Sequence, residues 1–389
     1  MKPLRAGRPL AMARASLAAL LLVLPAASGG AGCGGAEFTT GAGGATGGGD
    51  GAQAGSGGDR SGAGHDEGHG TVVATSGGSV ASGGASGVAA GAVEGGVVGA
   101  VDADLRGVRI IAIGDTGEGN LAQNQVADRM SEKCIQVGGC HAVIMNGDNF
   151  YDHGVADTGD SQWGPKFEQP YDRPGLNGLP FYAVLGNHDH GPSSSGVRQA
   201  QIDYSRLPVG TGPGKRMTDK WHMPSSYYDV RIRNVHLFGI DTVDFTSDEQ
   251  AVDMRARVAA SNARWKIVFG HHPRYTSGAH FSDNEQIGMS GMFDMQRAIY
   301  CGADMYMSGH DHDLELIDKG RDALCPNTYF AISGAGSKLR ASGAPTDARQ
   351  LFYTDRVEGF AYLQFEGDTL LFQFIDKEGA VLYVKAISK

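Results

Sequence analysis

Cysteine is scarce, with five in 389 residues and none in a C-x-x-C spacing. That argues against a thiolate zinc site, an iron–sulfur cluster or a dithiol redox centre. An excess of basic residues is also missing: 33 Lys and Arg stand against 43 Asp and Glu, a formal charge of −10. Nucleic-acid binding rests on Lys and Arg contacts to phosphates, so no nucleic-acid partner is expected. After Pro25 no run of about 20 apolar residues occurs, which excludes a multi-pass membrane protein. Charged residues make up 20% of the chain, so most of it can fold around a core. Its length suits one large domain or two ordinary ones.

Glycine, in contrast, is abundant and uneven: 28 of the 61 fall between Gly29 and Gly99. Ahead of that tract, Lys2, Arg5, Arg8 and Arg14 precede an apolar stretch from Ala15 to Leu24, then Pro25 and small residues. This is the order of an export signal, assigned here to residues 1–28, and it is too short to span a membrane as a stable helix. Cys33 in Gly30-Ala31-Gly32-Cys33 has the small residues of a bacterial lipoprotein site. Two outcomes stay open: a lipid anchor on Cys33, or a cleaved signal with a periplasmic or secreted product. Residues 29–100 contain too few large apolar side chains to offset backbone entropy and are expected to form a flexible linker. The folded, catalytic part is then residues 101–389.

From Gly107 on, short β-rich runs end in glycine-rich polar turns. Val108 to Ile113 runs into Gly114-Asp115-Thr116-Gly117, and Ala142 to Met145 into Asn146-Gly147-Asp148-Asn149-Phe150-Tyr151. Phe181 to Leu185 leads to Gly186-Asn187-His188-Asp189-His190, and Trp265 to Phe269 to Gly270-His271-His272-Pro273. Asp304 to Met307 ends in Ser308-Gly309-His310-Asp311-His312. Helical patterns over Asn120 to Cys134 and Asp248 to Ala260 lie between them, and strands dominate from Thr328 to Ile387. An α/β core follows, and in such folds ligands gather beyond the carboxyl ends of the strands, where all five clusters fall. The segment from Pro192 to Met223 reads by composition as a loop over that cleft. Cys134, Cys140, Cys301 and Cys325 can form disulfides in an exported domain; near neighbours suggest Cys134–Cys140 and Cys301–Cys325, although three pairings, or none, are possible.

Asp115, Asp148, Tyr151, Asn187, His271, His310 and His312 are oxygen and imidazole donors, a mixture suited to iron, zinc or manganese. Seven ligands are too many for one catalytic metal with open positions, but suit two metals sharing a carboxylate, which together can clamp a phosphoryl group. Glycines in the turns let the backbone approach the metals. His310 and His312, two apart on an extended segment, would share one side of the strand end.

The motifs GDTG, GDNFY, GNHD, GHHP and GHDH together resemble the calcineurin-like metallophosphoesterase superfamily. The tyrosine of GDNFYDHG narrows the likeness to the purple acid phosphatases of the small tartrate-resistant type. The resemblance spans roughly Val108 to Lys389 and includes AQIDYS (200–205), SGAGSK (333–338) and GFAYLQF (359–365). It implies a four-layer sandwich of two mixed β-sheets flanked by helices. It also implies a monomeric acid phosphatase that hydrolyses phosphate monoesters through a metal-bound hydroxide. By position, Asp115, Tyr151 and His312 would hold Fe(III), and Asn187, His271 and His310 a second, divalent ion (Fe, Zn or Mn), with Asp148 bridging. His188 and His280 would contact substrate, His280 as a candidate proton donor to the leaving group. A phosphodiesterase or nucleotidase on the same fold is the alternative enzyme, and a surface-anchored binding protein the non-enzymatic one.

Asp152, Asp189 and Asp311 read as carboxylates that orient histidines. His190 and His272 are read as structural, His153 as exposed, and His141, His222 and His236 as ordinary histidines.

Overall fold

The computed structural model describes residues 107–191, 197–244, 248–281, 290–342 and 346–389. The expected export signal (1–28), the linker (29–100) and Cys33 lie outside the described residues. The first strand, β1 (Val108–Ile113), is buried along nearly its whole length. Its side chains alternate between two cores: Ile110 and Ala112 face one hydrophobic cluster, Ile111 and Ile113 another. A strand covered on both faces reads as a continuous apolar run rather than an alternating one.

β1 pairs in parallel with β2 (Ala142–Met145), which continues in parallel to β3 (Phe181–Ala183) and β4 (Trp221–His222). On its other side β1 pairs antiparallel with β12 (Gly359–Glu366), followed by the hairpin partners β13 (Thr369–Asp376) and β14 (Val381–Ser388). The second seven-stranded sheet holds β5 (Tyr228–Ile232), β6 (Val235–Gly239), β7 (Trp265–Phe269), β8 (Met305–Ser308), β9 (Leu314–Ile317), β10 (Tyr329–Ser333) and β11 (Gln350–Thr354). Their order is β11-β9-β10-β8-β7-β6-β5, with β6, β7, β8 and β10 parallel.

The largest core lies between the sheets, where Val108, Ile110 and Ala112 meet Leu237, Ile267, Phe269 and Met307. The outer face of the first sheet is covered by α1 (Leu121–Gln136), the 150–171 region and α3 (Val197–Arg206); the short helix α2 (Asn187–His190) precedes α3. The outer face of the second sheet is covered by α4 (Asp248–Ala260) and α5 (Ser290–Tyr300). Helices, two mixed sheets and helices make the four layers expected. Cys134 is bonded to Cys140 and Cys301 to Cys325.

Two local expectations need correction. Residues 192–196 of the expected Pro192–Met223 loop lie outside the described residues, but the remainder holds α3 and β4. Ala200, Gln201, Ile202 and Tyr204 of α3 are buried, and Tyr204 stacks on Trp163 with ring centres 3.6 Å apart. His310 and His312 are not on an extended segment: β8 ends at Ser308 and His310 has φ +69°. The two histidines diverge through a turn instead of sharing one face of a strand.

Among the described residues no helix is long and apolar enough to cross a membrane.

Candidate metal centre

All five polar clusters emerge at the carboxyl ends of β1, β2, β3, β7 and β8, which the parallel pairings bring to one edge of the two sheets. Local backbone shape at this edge is unusual. Among the described residues four non-glycine positions have φ between +50° and +69°, and three of them are Asp115, Asp148 and His310. Asp and His enter this region more readily than most residues, but such positions still cost about 1–3 kcal/mol and tend to cluster at functional sites. Glycines make room for the carboxylates: a Cβ on Gly186 would lie 2.1 Å from Asp148 Oδ1, and one on Gly309 2.3 Å from Asp115 Oδ2.

The seven expected ligands form two groups. Tyr151 donates its hydroxyl proton to Asp115 Oδ1 at 2.9 Å, and His312 Nε2 lies 3.3 Å from that hydroxyl and 3.4 Å from Asp115 Oδ1. In the second group Asn187 Oδ1 stands 3.0 Å from both His271 Nε2 and His310 Nδ1, and these two nitrogens are 3.2 Å apart. Asp148 Oδ2 approaches His271 Nε2 at 3.4 Å, and donor atoms of Asp115, Asp148 and His271 all lie within 4.8 Å of one another. All seven residues are therefore gathered at one place.

The donor chemistry fits cations. His271 Nδ1 donates to the Asn146 carbonyl at 2.9 Å, which fixes the tautomer and leaves a lone pair on Nε2. That lone pair points at the Asn187 side-chain oxygen and the His310 nitrogen. Metal–ligand bonds of about 2.0–2.2 Å at tetrahedral or octahedral angles give ligand edges of about 3.0–3.5 Å, the spacing seen in both groups. Burial first, and then the charges of Asp115 and Asp148, hold the Tyr151 phenol well above its ordinary pKa. Displacing that proton takes a strongly polarising ion. With no cation bound, burial disfavours both charged forms, but the Asp148 charge and hydrogen bond raise His271 to about 9, and the resulting imidazolium, with His188, holds the Asp148 carboxyl below the usual range; a cation at Nε2 would take the place of that proton.

The surrounding residues divide clearly. His188 donates from Nδ1 to the Asp152 carbonyl at 2.6 Å, while its Nε2 lies 4.0 Å from Asp148 Oδ2. The Asp152 backbone, not its exposed carboxylate, thus orients that ring. His280 donates from Nδ1 to Asp311 Oδ1 at 2.8 Å, as expected of Asp311, and stacks on His310 with ring centres 4.1 Å apart. Asp189 touches no histidine among the described residues. It instead accepts from the backbone N–H groups of Asn149, Phe150 and Gly186 and from the side chains of Asn149 and Gln201. Its role is to fix the turns that carry Asp148, Tyr151 and Asn187. His190 bonds Asp241 and His272 bonds Thr242, both buried; His236 bonds Asp229, and His153 is exposed. His141 receives the Arg109 backbone N–H, and burial first holds both its ring and that of His222 below the usual imidazole pKa.

Residues that sequence reasoning missed include the Asn146 carbonyl and two cations, Lys338 and Arg340. Lys338 Nζ stands 3.3 Å from the Tyr151 ring centre and pairs with Glu118 at 2.7 Å. Arg340 Nη1 donates to His280 Nε2 at 2.5 Å. Lys338 closes the SGAGSK stretch and Arg340 lies two residues beyond it, but nothing in their spacing marks them.

The whole arrangement coincides with a known family. Residues 108–314 match the calcineurin-like phosphoesterase family. This chain belongs to the calcineurin-like phosphoesterases. It is homologous to purple and tartrate-resistant acid phosphatases. It is 30% identical to purple acid phosphatase 3 of Arabidopsis thaliana, with 71% of this chain and 76% of that protein covered. It is 26% identical to tartrate-resistant acid phosphatase type 5 of Homo sapiens, covering 71% and 89%. The solved structure of a purple acid phosphatase from yellow lupin seeds superposes with a TM-score of 0.55 at 18% identity, covering 72% of this chain and 54% of that one. That likeness shows the shared fold.

Beside this phosphoesterase centre lies a buried carboxyl whose titration affects stability. Glu315 accepts from the Ser277 hydroxyl and backbone N–H and from Gln350. Burial pushes it up to about 7 from 4.5, against those hydrogen bonds, with help from the Asp311 charge. Between those two values the folded chain holds a proton that the unfolded chain has lost, so stability falls as pH rises through the window. The thermal midpoint of the wild type is expected to be several degrees higher at pH 5 than at pH 8, and Glu315→Gln is expected to flatten that dependence. A scanning-fluorimetry pH series measures both; an equal slope in the variant would contradict the assignment.

Proposed function

We propose that the chain is an exported acid phosphatase that hydrolyses phosphate monoesters at a dinuclear metal centre. The observation that supports this most is the convergence of seven donor side chains, from five strand ends, into two groups joined at Asp148. Asp115, Tyr151 and His312 would hold ferric iron, because two anionic oxygens favour the trivalent ion. Asn187, His271 and His310 are neutral and suit a divalent partner: iron, zinc or manganese. When bound, the two cations supply Lewis acidity toward the phosphoryl oxygens and activate water.

The remaining steps belong to the protein. Asn146, through its carbonyl, keeps the His271 lone pair aimed inward. Asp189 holds the three backbone turns in register. His188, oriented by the Asp152 carbonyl and adjacent to Asp148, is placed to neutralise phosphate charge. His280 stacks on His310 and is oriented by Asp311. Residues 1–28 would direct export and residues 29–100 would tether the catalytic domain, through a lipid on Cys33 if that residue is modified.

Two measurements test the reading. Nitrophenyl phosphate should be hydrolysed in mild acid much faster than bis-nitrophenyl phosphate; the reverse order would make the chain a phosphodiesterase. Tyr151→Phe should abolish the visible absorption band expected of a phenolate–ferric pair while far-ultraviolet circular dichroism is unchanged. A band that survives the substitution would refute Tyr151 as the ferric ligand.

A further inference from the structure

We propose that Ser261 is a second reactive centre, a serine that takes the acyl group of small carboxylic esters without help from the metal site. The proposal starts from three side chains that the phosphatase reading does not use. His236 on β6 is fully buried and has a partner on each ring nitrogen: Nε2 lies 2.8 Å from Asp229 Oδ2, and Nδ1 lies 2.8 Å from Ser261 Oγ. Asp229 is buried as well, and its other oxygen accepts from Arg257 Nη1 at 2.7 Å, which pairs its charge. An ionised carboxylate can only accept, so the ring proton is on Nε2 and the Nδ1 lone pair faces the serine hydroxyl. Ser261 thus donates to His236, the contact through which a histidine acts as base toward a nucleophile. Such a relay is defined by these contacts and not by order along the chain.

The position of Ser261 makes its hydroxyl reachable. It directly follows the end of α4 at Ala260, is half-buried, and is flanked by exposed Ala260 and Asn262. Its oxygen also accepts the Ala263 N–H at 3.2 Å, which holds the side chain without using its proton. A surface turn of this kind admits a small ester. His236 lies beside Lys266 near the amino ends of the parallel strands β6 and β7, whereas the metal centre follows Phe269 at the carboxyl end of β7. The two centres therefore stand at opposite ends of the second sheet. In the step proposed, Ser261 Oγ forms a bond to the ester carbonyl carbon while its proton passes to His236 Nδ1. The bond from that carbon to the alkoxy oxygen then breaks, its electron pair leaves with the oxygen, and the proton on His236 goes to the departing alcohol. An acyl group remains on Ser261.

The test treats the full chain with an alkyl fluorophosphonate, which reports such a serine through a stable adduct: Oγ bonds to phosphorus and fluoride leaves. Peptide mass spectrometry locates it. The wild type should carry the adduct at Ser261, and an unlabelled Ser261 would overturn the proposal. Ser261→Ala should lose that adduct yet hydrolyse nitrophenyl phosphate at the wild-type rate; a folded variant without phosphatase activity would overturn the separation of the two centres. His236→Gln should slow labelling about a hundredfold or more, the scale of general-base help. Asp229→Asn should slow it too, because an amide can donate to Nε2 and leave the ring proton on Nδ1. A wild-type labelling rate in either variant, at an unchanged circular dichroism spectrum, would overturn the relay. Guanidinium-unfolded wild type gives a check that needs no variant: Ser261 should label far more slowly there, and equal rates in the folded and unfolded chains would overturn the proposal. Prior treatment with nitrophenyl acetate should slow labelling of the folded wild type, and an absence of competition would overturn the ester class.

Discussion

Replacing Asp148 by asparagine should lower kcat/KM for a phosphate monoester by about a thousandfold, the scale on which loss of a central electrostatic group acts. The carboxylate is buried, with Oδ2 beside His271 and Oδ1 accepting the His188 backbone N–H at 3.0 Å. An amide preserves that hydrogen bond and the shape of the site, so the fold should survive with a thermal midpoint close to the wild type. What it loses is the one negative charge placed to serve both groups of donors. Metal content should fall together with rate. Equal hydrolysis by wild type and variant would mean that Asp148 takes no part in catalysis and that this site is structural.

The second large effect is on stability and lies one turn away. Asp189 gathers five donors: the N–H groups of Asn149, Phe150 and Gly186, the Asn149 amide and the Gln201 amide. It is fully buried, and burial and the Asp148 charge push it up to about 6 despite those bonds. Asp189→Ala leaves the donors without an acceptor and should cost about 3–5 kcal/mol, by analogy with breaking a buried charged network. For a domain of this size that corresponds to a midpoint lowered by about 10 °C. Asp189→Asn keeps one acceptor oxygen and should lose less. Because the N–H groups it holds belong to the turns bearing Asp148, Tyr151 and Asn187, metal affinity should fall in both variants. Chemical denaturation of the three proteins provides the comparison, and an alanine variant within about 1 kcal/mol of wild type would contradict this account.

The parts of the site legible in the sequence are those whose chemistry is local. GDTG, GDNFY, GNHD, GHHP and GHDH each place a donor within a residue or two of a glycine at a strand end, so order along the chain was enough to read them. The fold followed for the same reason: β2 is an unbroken apolar run, β1 and β7 are apolar but for Arg109 and Lys266, and α1 is preceded by Asn120, whose side chain caps the Gln123 N–H. Convergence in space was not legible. Arg340 meets His280 across 60 residues, and the Asn146 carbonyl meets His271 across 125. Strand β5 and its partner β6 contain Asp229 and His236, which pair with each other and, through Asp229, with Arg257. These buried polar groups interrupted the apolar pattern by which the strands would have been found. Helix α3 was obscured by the Gly, Pro and Ser around it, although its Ala200, Ile202 and Tyr204 pack into the core. Asp189 was expected to orient a histidine, because sequence adjacency to His188 and His190 suggested it; its carboxylate instead turns toward backbone N–H groups that no local pattern reveals.

The most direct test of the central claim is elemental analysis of the purified wild-type chain, read together with its visible spectrum. Two metal atoms per chain, at least one of them iron, in a coloured protein are the predicted result. A fully active phosphatase that holds one metal atom per chain or none would contradict it.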